Sequence, residues 1–145
     1  MKISTKGRYA LRMLIDLAEH QNGGYIALKD IAKRQNISKK YLEQIIPILN
    51  GADLLRTTRG AQGGYMLAKT PENYTVGEIL RLTEGRLSPV DLSGDIPSGM
   101  DETGEMALMS VWQGLSRVIS DYLNSITLQD IVDEQQERYM NNYVI

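Results

Sequence analysis

Five polar residues on one predicted helix are the strongest candidates for chemistry in this chain. They are Ser38, Lys39, Lys40, Glu43 and Gln44. Apolar residues recur between them at helical spacing and predict a helix that begins after Ser38 and ends near Asn50. In a major groove, lysine can contact phosphates, and glutamate and glutamine can hydrogen-bond to base edges. The pattern therefore favours a helix that reads double-stranded DNA, and the alternative is an ordinary solvated face.

A glycine-rich basic segment follows this helix. Residues 54–58 and 64–68 are typical of strands and predict a β-hairpin whose tip carries one arginine. Arg59 can insert into a narrow minor groove, Gln62 can add a hydrogen bond, and the glycines allow the backbone to approach DNA closely. The predicted contact residues of the tip are Arg59, Gly60, Gln62, Gly63 and Gly64. The glycine spacing is not that of a nucleotide-binding loop, and a plain tight turn is the alternative.

The elements that must position these residues follow a recognisable order. The first helix is predicted to begin after Ser4 or Thr5 and to end near His20, and the second spans 28–34. A short strand is predicted at 25–27, Pro47 should bend the third helix, and the capping-box spacing that begins at Thr75 predicts a fourth helix. Three helices followed by a hairpin are the order of a winged helix-turn-helix domain, which is predicted to span 1–85.

The rest of the chain has a different character. Residues 86–104 are rich in proline, glycine and acids and predict a loop, 105–137 predict two helices, and 138–145 form a predicted tail. The long helix carries an apolar stripe that we interpret as a dimerisation surface. Its predicted interface residues are Leu108, Val111, Trp112, Leu115, Ile119 and Tyr122. The alternative is that this stripe packs on its own domain. The expected fold class is mainly α with a small β-hairpin wing and a long C-terminal dimerisation helix.

Charge divides between the two halves of the chain. Residues 1–70 contain 12 Lys and Arg against 5 Asp and Glu, whereas residues 71–145 contain 4 against 13. A basic half attracts a polyanion and an acidic half is repelled by it, so the division favours a nucleic-acid partner. Lys6 and Arg8, at the start of the first helix, are predicted phosphate contacts. Chance clustering of solvated charges is the alternative.

Several other classes of protein receive no support from the residues. The chain has no cysteine, which excludes disulfides and thiolate-held clusters, and no set of histidine, acid and nucleophile predicts an enzyme. The start of the chain turns polar too soon for a signal peptide, and no run of about 18 apolar residues predicts a membrane span. We therefore expect a cytoplasmic protein that is not an enzyme and has no metal or other cofactor.

Motifs along most of the chain resemble the Rrf2 family of winged-helix regulators. The motifs are Met1 to Ala10, Ser38-x-x-Tyr41-Leu42-Glu43-Gln44, Arg59-Gly60-x-x-Gly63-Gly64-Tyr65 and Ile126-Thr127-Leu128. The resemblance implies a homodimer with swapped or crossed long helices that reads a promoter pseudo-palindrome. It places Tyr41 in the recognition helix with the polar residues named above, and Arg59 at the tip of the wing.

The cluster-binding branch of that family carries three cysteines in and after the loop that corresponds here to 86–106, and this chain has none. The chain is more similar to the cluster-free branch that represses genes of cysteine and sulfur metabolism. That similarity lies at the start of the chain, in the segment from Leu82 to Val90 and in the segment from Glu137 to Ile145. It implies a partner, cysteine synthase, that senses O-acetylserine on behalf of the repressor.

The end of the sequence suggests how such a partner could be contacted. Serine acetyltransferase tails that end in isoleucine enter the active site of cysteine synthase, and Tyr143, Val144 and Ile145 look similar to them. The alternative is a frayed terminus. Two further alternatives for the function are an interaction module whose main task is to dock on that enzyme, and a regulator that senses a small molecule directly.

Overall fold

The computed structural model describes residues 1–91 and 102–143. Within these ranges the helices are α1 (Thr5–Glu19), α2 (Leu28–Gln35), α3 (Lys39–Gly51), α4 (Val76–Glu84), α5 (Glu102–Asn124) and α6 (Leu128–Tyr143), and the strands are β1 (Leu55–Thr58) and β2 (Gly64–Leu67). The two strands form an antiparallel hairpin in which Leu55 pairs with Leu67 and Thr58 with Gly64. The mainly helical winged-helix fold expected from the sequence is confirmed.

Hydroxyl side chains begin four of the described helices, and the fourth is α6, where Oγ1 of Thr127 accepts from the backbone N–H of Asp130 at 3.1 Å. The Oγ of Ser4 accepts from the backbone N–H of Gly7 at 3.0 Å, and the Oγ of Ser38 accepts from that of Tyr41 at 3.1 Å. The Oγ1 of Thr75 does the same for Glu78 at the start of α4. Each bond satisfies a backbone donor that has no partner inside the helix, which is why the helix boundaries follow the sequence signals closely.

A buried carboxylate joins α1 to α2. Asp16 is fully buried, and its two oxygens accept from Nη2 and Nε of Arg34 at 2.7 and 2.9 Å. Gln35 Nε2 donates a third hydrogen bond to Asp16 at 3.0 Å. The hydrogen bond to Asp16 raises the pKa of Arg34 above its ordinary value, since it stabilises the charged guanidinium. The pair fixes the position of α2 relative to α1. The apolar core next to these helices includes Ile31, Leu42, Ile45 and Leu49.

The hairpin is attached to the helices at a point of close backbone approach. Ile26 and Tyr65 exchange two backbone hydrogen bonds of 2.8 Å, so the strand predicted at 25–27 contributes only this one bridge. A Cβ on Gly64 would lie 2.2 Å from the carbonyl oxygen of Ile26. Only glycine can therefore occupy position 64 without moving the hairpin away from the helices.

Tyr74 connects the base of the hairpin to the C-terminal helices. Its side chain is fully buried, and its hydroxyl donates to the carbonyl oxygen of Leu54 at 2.6 Å. The same hydroxyl accepts from the backbone N–H groups of Ala68 and Lys69 at 3.0 and 3.2 Å. The backbone oxygen of Tyr74 accepts from Leu128 at the start of α6. Burial raises the pKa of Tyr74, so the hydroxyl keeps its proton and its role as a donor.

The α4 helix packs closely on α1 and also contacts α5. A Cβ on Gly7 would lie 2.4 Å from Oε1 of Glu84, and that oxygen accepts from the backbone N–H and the hydroxyl of Ser4 at 2.7 Å. Because these bonds hold the Glu84 carboxylate in place, the absence of a side chain at Gly7 allows the two helices to meet. Leu80 and Val76 of α4 also belong to a second apolar cluster, against which Leu11 of α1 and Ile119 of α5 both pack.

The C-terminal helices differ at their ends from the sequence expectation. The α5 helix begins at Glu102, within the segment predicted as a loop, and α6 continues to Tyr143, within the segment predicted as a tail. Residues 102–104 and 138–143 are therefore helical. The remainder of the predicted loop beyond Asp91, and positions 144 and 145 of the tail, lie outside the described residues. No helix in the described ranges is both long and apolar enough to cross a membrane.

Replacing Tyr74 by phenylalanine should destabilise the protein by about 1–3 kcal/mol, because the carbonyl of Leu54 loses one of its two donors and the backbone N–H of Lys69 loses the hydroxyl as an acceptor. The measurement is the free energy of unfolding from urea titration followed by circular dichroism. The exposed Tyr139 provides a matched control, and Tyr139→Phe should leave stability within about 0.5 kcal/mol of the parent. Equal stability of the parent and Tyr74→Phe would contradict the connecting role of this hydroxyl.

Candidate nucleic-acid interface

The first turns of α3 present a polar surface to solvent. Its exposed residues are Ser38, Lys39, Lys40, Glu43 and Gln44. On the opposite face Leu42, Ile45 and Leu49 are fully buried, which fixes the rotation of the helix about its axis. The structure therefore places the five polar residues singled out in the sequence on one accessible face, beside the free backbone donors of the helix start.

Tyr41 has a different environment from these five residues. It is half-buried, and its ring lies edge-on to that of Tyr9 with a centroid distance of 5.3 Å. The guanidinium of Arg12 lies over the Tyr9 ring and hydrogen-bonds to both the backbone oxygen and the side-chain oxygen of Gln35. This packing holds the beginning of α3 against α1. The Tyr41 ring therefore contributes to the position of the helix.

A cleft of about 710 Å³ separates α3 from the hairpin. We call it the helix–hairpin cleft. Its charged and polar lining residues include Lys29, Lys39, Glu43, Asn50, Thr57 and Arg59. Lys39 and Glu43 come from α3, and Arg59 comes from the hairpin tip, so the two separately predicted elements share one concave surface. Gly60, Gly63 and Gly64 line the same cleft with their backbone.

The cations of this cleft are available to an external anion. The ion pairs found within residues 1–91 and 102–143 are those of Asp16 with Arg34 and His20, Lys69 with Glu78, and Arg138 with Glu134. None of these pairs includes Lys29, Lys39 or Arg59. Three positive side chains against the single carboxylate of Glu43 give the cleft a net positive charge, which suits a phosphate backbone.

The hairpin tip directs its two polar side chains to different sides. The tip closes through a 2.9 Å hydrogen bond from Gly63 to the carbonyl of Gly60, whose φ of +106° favours glycine. Arg59 lines the helix–hairpin cleft, whereas Gln62 lines a separate cleft that also includes Tyr25 and Asp30. The structure therefore does not bring Gln62 together with Arg59, although both occupy the same short tip.

Lys6 and Arg8 are exposed in the first turn of α1, as the sequence predicted, but neither lines the helix–hairpin cleft. Nη2 of Arg8 donates to Oγ1 of Thr5 at 3.1 Å. The phosphate contacts predicted for Lys6 and Arg8 therefore lie outside the helix–hairpin cleft.

The cleft residues that the sequence reasoning missed include Lys29, Asn50 and Thr57. Lys29 lies in the first turn of α2, and its position near a helix start on the basic half of the chain was a usable signal. Asn50 and Thr57 approach each other at 3.4 Å between Oδ1 and Oγ1. That contact joins the end of α3 to β1, and no local pattern marks it.

The predicted dimerisation residues lie along α5 with mixed exposure. Val111 and Tyr122 are 56% and 64% exposed, and Leu108 and Leu115 are also exposed. Trp112 is half-buried, and Ile119 packs against the second apolar cluster of Val76, Leu80 and Leu87. In the predicted tail, Tyr143 is the last described residue, and Val144 and Ile145 lie outside the described ranges.

Comparison with known proteins places these features in a family. Residues 3–134 match the model of the Rrf2 family, whose description is iron-dependent transcriptional regulator. The regulator CymR of Bacillus subtilis is 41% identical over 97% of this chain and 98% of its own length. The regulator IscR of Erwinia tasmaniensis is 37% identical over 94% of this chain and 81% of its own.

Solved structures agree with the sequence relatives. The structure of CymR, described as the global cysteine regulator of B. subtilis, superposes with a TM-score of 0.75 at 36% identity and covers 92% of this chain and 98% of that one. A structure of IscR from T. potens has the same TM-score at 40% identity, with 95% and 90% of the two chains covered.

The residues present do not fit the iron named in the family description. The chain has no cysteine, and the described residues contain no group of three or more His, Cys, Asp or Glu side chains that could hold a metal ion. The helix order, the hairpin and the near full-length similarity nevertheless agree with one another. This chain belongs to the Rrf2 family of transcriptional regulators, and it is a DNA-binding regulator.

Proposed function

We propose that the protein acts as a homodimer that binds a promoter pseudo-palindrome and represses genes of cysteine and sulfur metabolism. The observation that carries the DNA-binding surface is the helix–hairpin cleft, where Lys39 and Glu43 of α3 face Arg59 of the hairpin. One helix start and one arginine-tipped hairpin can contact adjacent grooves of the same duplex. The roles of the individual residues follow from their chemistry.

The α3 helix enters a major groove with its N-terminal end first. Lys39 and Lys40 contact phosphates or guanine, Gln44 hydrogen-bonds to a base edge, and Glu43 accepts from the amino group of cytosine. Glu43 would be repelled by a phosphate, so its place among cations supports a role in choosing a base. Arg59 reaches the neighbouring minor groove, where a narrow groove concentrates negative potential.

The α5 helix supplies the dimer contact. Val111, Val118 and Tyr122 are each more than half exposed on one helix, and apolar surface of this kind is costly to leave in water. In a two-fold symmetric dimer formed through α5, the identical apolar surface of a second copy covers this one. The same axis presents two copies of the helix–hairpin cleft to a duplex, which matches a pseudo-palindrome and doubles the base contacts.

The proposed target genes rest on similarity to CymR. The solved structure of CymR is described as that of a global cysteine regulator, and the similarity covers 92% of this chain. This chain has no cysteine thiolates, which a mechanism that depends on an iron–sulfur cluster requires, so the proposal involves no cluster. Similarity to CymR supports the proposed role in cysteine metabolism. The geometry of this chain's own residues supports the proposed mode of DNA binding.

Selection of bound duplexes from a random pool tests the DNA-binding proposal, and the selected sequence then serves to compare variants. Arg59→Ala should weaken binding by about 1–3 kcal/mol, because it removes a groove contact of a charged side chain. Raising the salt concentration should weaken parent binding steeply as counterions are released. Fluorescence anisotropy at several salt concentrations provides both measurements.

Arg138→Ala is the matched control, since Arg138 is an exposed arginine of α6 that pairs with Glu134. Its affinity for the selected duplex should equal that of the parent. An unchanged affinity of Arg59→Ala, or a parent affinity that does not respond to salt, would exclude the proposed mode of binding.

Val111→Asp should convert the dimer to monomers, because it places a charge in the middle of the apolar face of α5. Ser110→Asp is a matched control that adds the same charge at the adjacent exposed position. Sedimentation equilibrium measures the assembly, and affinity for the selected duplex should fall with it. A Val111→Asp protein that is folded and still dimeric would refute the proposed interface.

We also propose cysteine synthase as a partner that contacts residues 143–145. Two exposed apolar side chains, Tyr139 and Met140, lie on the last turns of α6 just before this segment. Deleting 143–145 should abolish binding to purified cysteine synthase in a titration calorimeter while affinity for the selected duplex stays unchanged. If the truncated protein binds the enzyme as well as the parent does, the enzyme does not use this segment.

A further inference from the structure

A second cavity lies on the other face of the hairpin from the helix–hairpin cleft. We call it the back cavity, and its volume is about 370 Å³. Its principal lining residues are Leu17, Gln21, Ile26, Arg56, Met66 and Leu67. Arg56 and Met66 are directly paired across the two strands and so share one face, whereas the neighbouring Thr57 lines the helix–hairpin cleft. The two cavities therefore use different residues of the same strands.

The chemistry of the back cavity is that of a site for a small amphipathic molecule. Leu17, Ile26 and Leu67 are buried and form an apolar floor. The volume and the mainly apolar lining with few polar groups are typical of small-molecule sites, which usually measure about 300–1,000 Å³. An aliphatic chain of a few carbons suits this floor.

One cation at the rim has no anionic partner. Lys69 also lines the cavity, but its Nζ lies 3.6 Å from Oε1 of Glu78 and 4.9 Å from the centre of the Tyr74 ring. Arg56 takes part in none of the ion pairs within residues 1–91 and 102–143. A guanidinium beside an apolar floor selects a carboxylate, which it can bind through two parallel hydrogen bonds.

The position of the cavity connects it to the hairpin. Leu17 and Gln21 belong to α1 and the segment after it, whereas Arg56, Met66 and Leu67 belong to the two strands. The backbone of Ile26, another lining residue, is hydrogen-bonded to Tyr65. An occupant would contact the helices and the hairpin at once, and so would bias the orientation of the strands that carry Arg59.

We propose that the back cavity binds a small aliphatic carboxylate through Arg56 and that occupancy changes the affinity of the protein for DNA. The second part rests on the proposed function, and the first part does not. Because the carboxylate contacts neither α3 nor the hairpin tip, the coupling operates through the orientation of the hairpin.

Hexanoate serves as the probe, with hexylammonium and acetate as controls for the charge and for the aliphatic chain. Titration of the full-length protein by ¹H–¹⁵N NMR should give saturable shifts for hexanoate at the amides of Gly23, Gly24 and Met66, which line the cavity. Arg56→Gln should weaken hexanoate binding by roughly tenfold or more, and Arg56→Lys should retain part of it. Arg117→Gln, an exposed arginine of α5, should bind as the parent does.

Equal binding of hexylammonium, shifts located elsewhere, or unchanged binding by a folded Arg56→Gln protein would overturn the site. In the second arm, saturating hexanoate should change affinity for the selected duplex by about fivefold or more, and Arg56→Gln should abolish that change. Hexanoate binding with no change in DNA affinity would overturn the coupling. A ligand-free protein that binds no DNA would contradict the proposed function, and hexanoate binding would still decide the site.

Discussion

The geometry of the candidate interface depends on how the hairpin is held against the helices, and the hydroxyl of Tyr74 is the central contact. It makes three hydrogen bonds to backbone groups on both sides of the hairpin base, and one of its partners is the carbonyl of Leu54, which also accepts from the backbone N–H of Ala68. Loss of hydrogen-bond partners by buried backbone groups is costly, so this network of bonds favours the observed position of the strands. The close approach of Gly64 to Ile26 acts in the same direction. Together they bring Arg59 to the side of the hairpin that faces α3.

The position of α3 depends on contacts of a different kind. Asp16 is buried and paired with Arg34, which sets α2 against α1, and the ring of Tyr41 rests on that of Tyr9, which sets the start of α3 against α1. The Asp16 carboxylate is fully buried and the Arg34 side chain is 35% exposed. Loss of the arginine would leave a buried charge without its ionic partner, so the pair favours this arrangement of the helices. The apolar face of α3 then decides which of its residues reach solvent. The exposed polar face of α3 is thus oriented by contacts among residues that lie outside that face.

Positive charge and exposed apolar surface lie in different halves of the chain. Three positive side chains of the first half, Lys29, Lys39 and Arg59, line the helix–hairpin cleft, and the acids of the second half belong largely to the segments after α4. An acidic region repels the duplex and therefore favours one orientation of the protein on it. The exposed apolar face lies on α5, within that acidic half. A dimer formed there would use residues that do not line the helix–hairpin cleft.

Much of the fold and part of the site could be predicted from the sequence, because their signals are local. Caps at Ser4, Ser38 and Thr75 mark helix starts, and apolar spacing predicts the buried face of α3 and hence its exposed polar face. Contacts between distant segments could not be predicted in this way. Asn50 meets Thr57, Gln62 turns away from Arg59, and Lys29 joins the cleft only because the hairpin packs against the helices as it does. The sequence by itself thus determined the elements, their order and the family. The tertiary structure alone decided which side chains share a cavity, because that depends on close packing among residues that no local pattern relates.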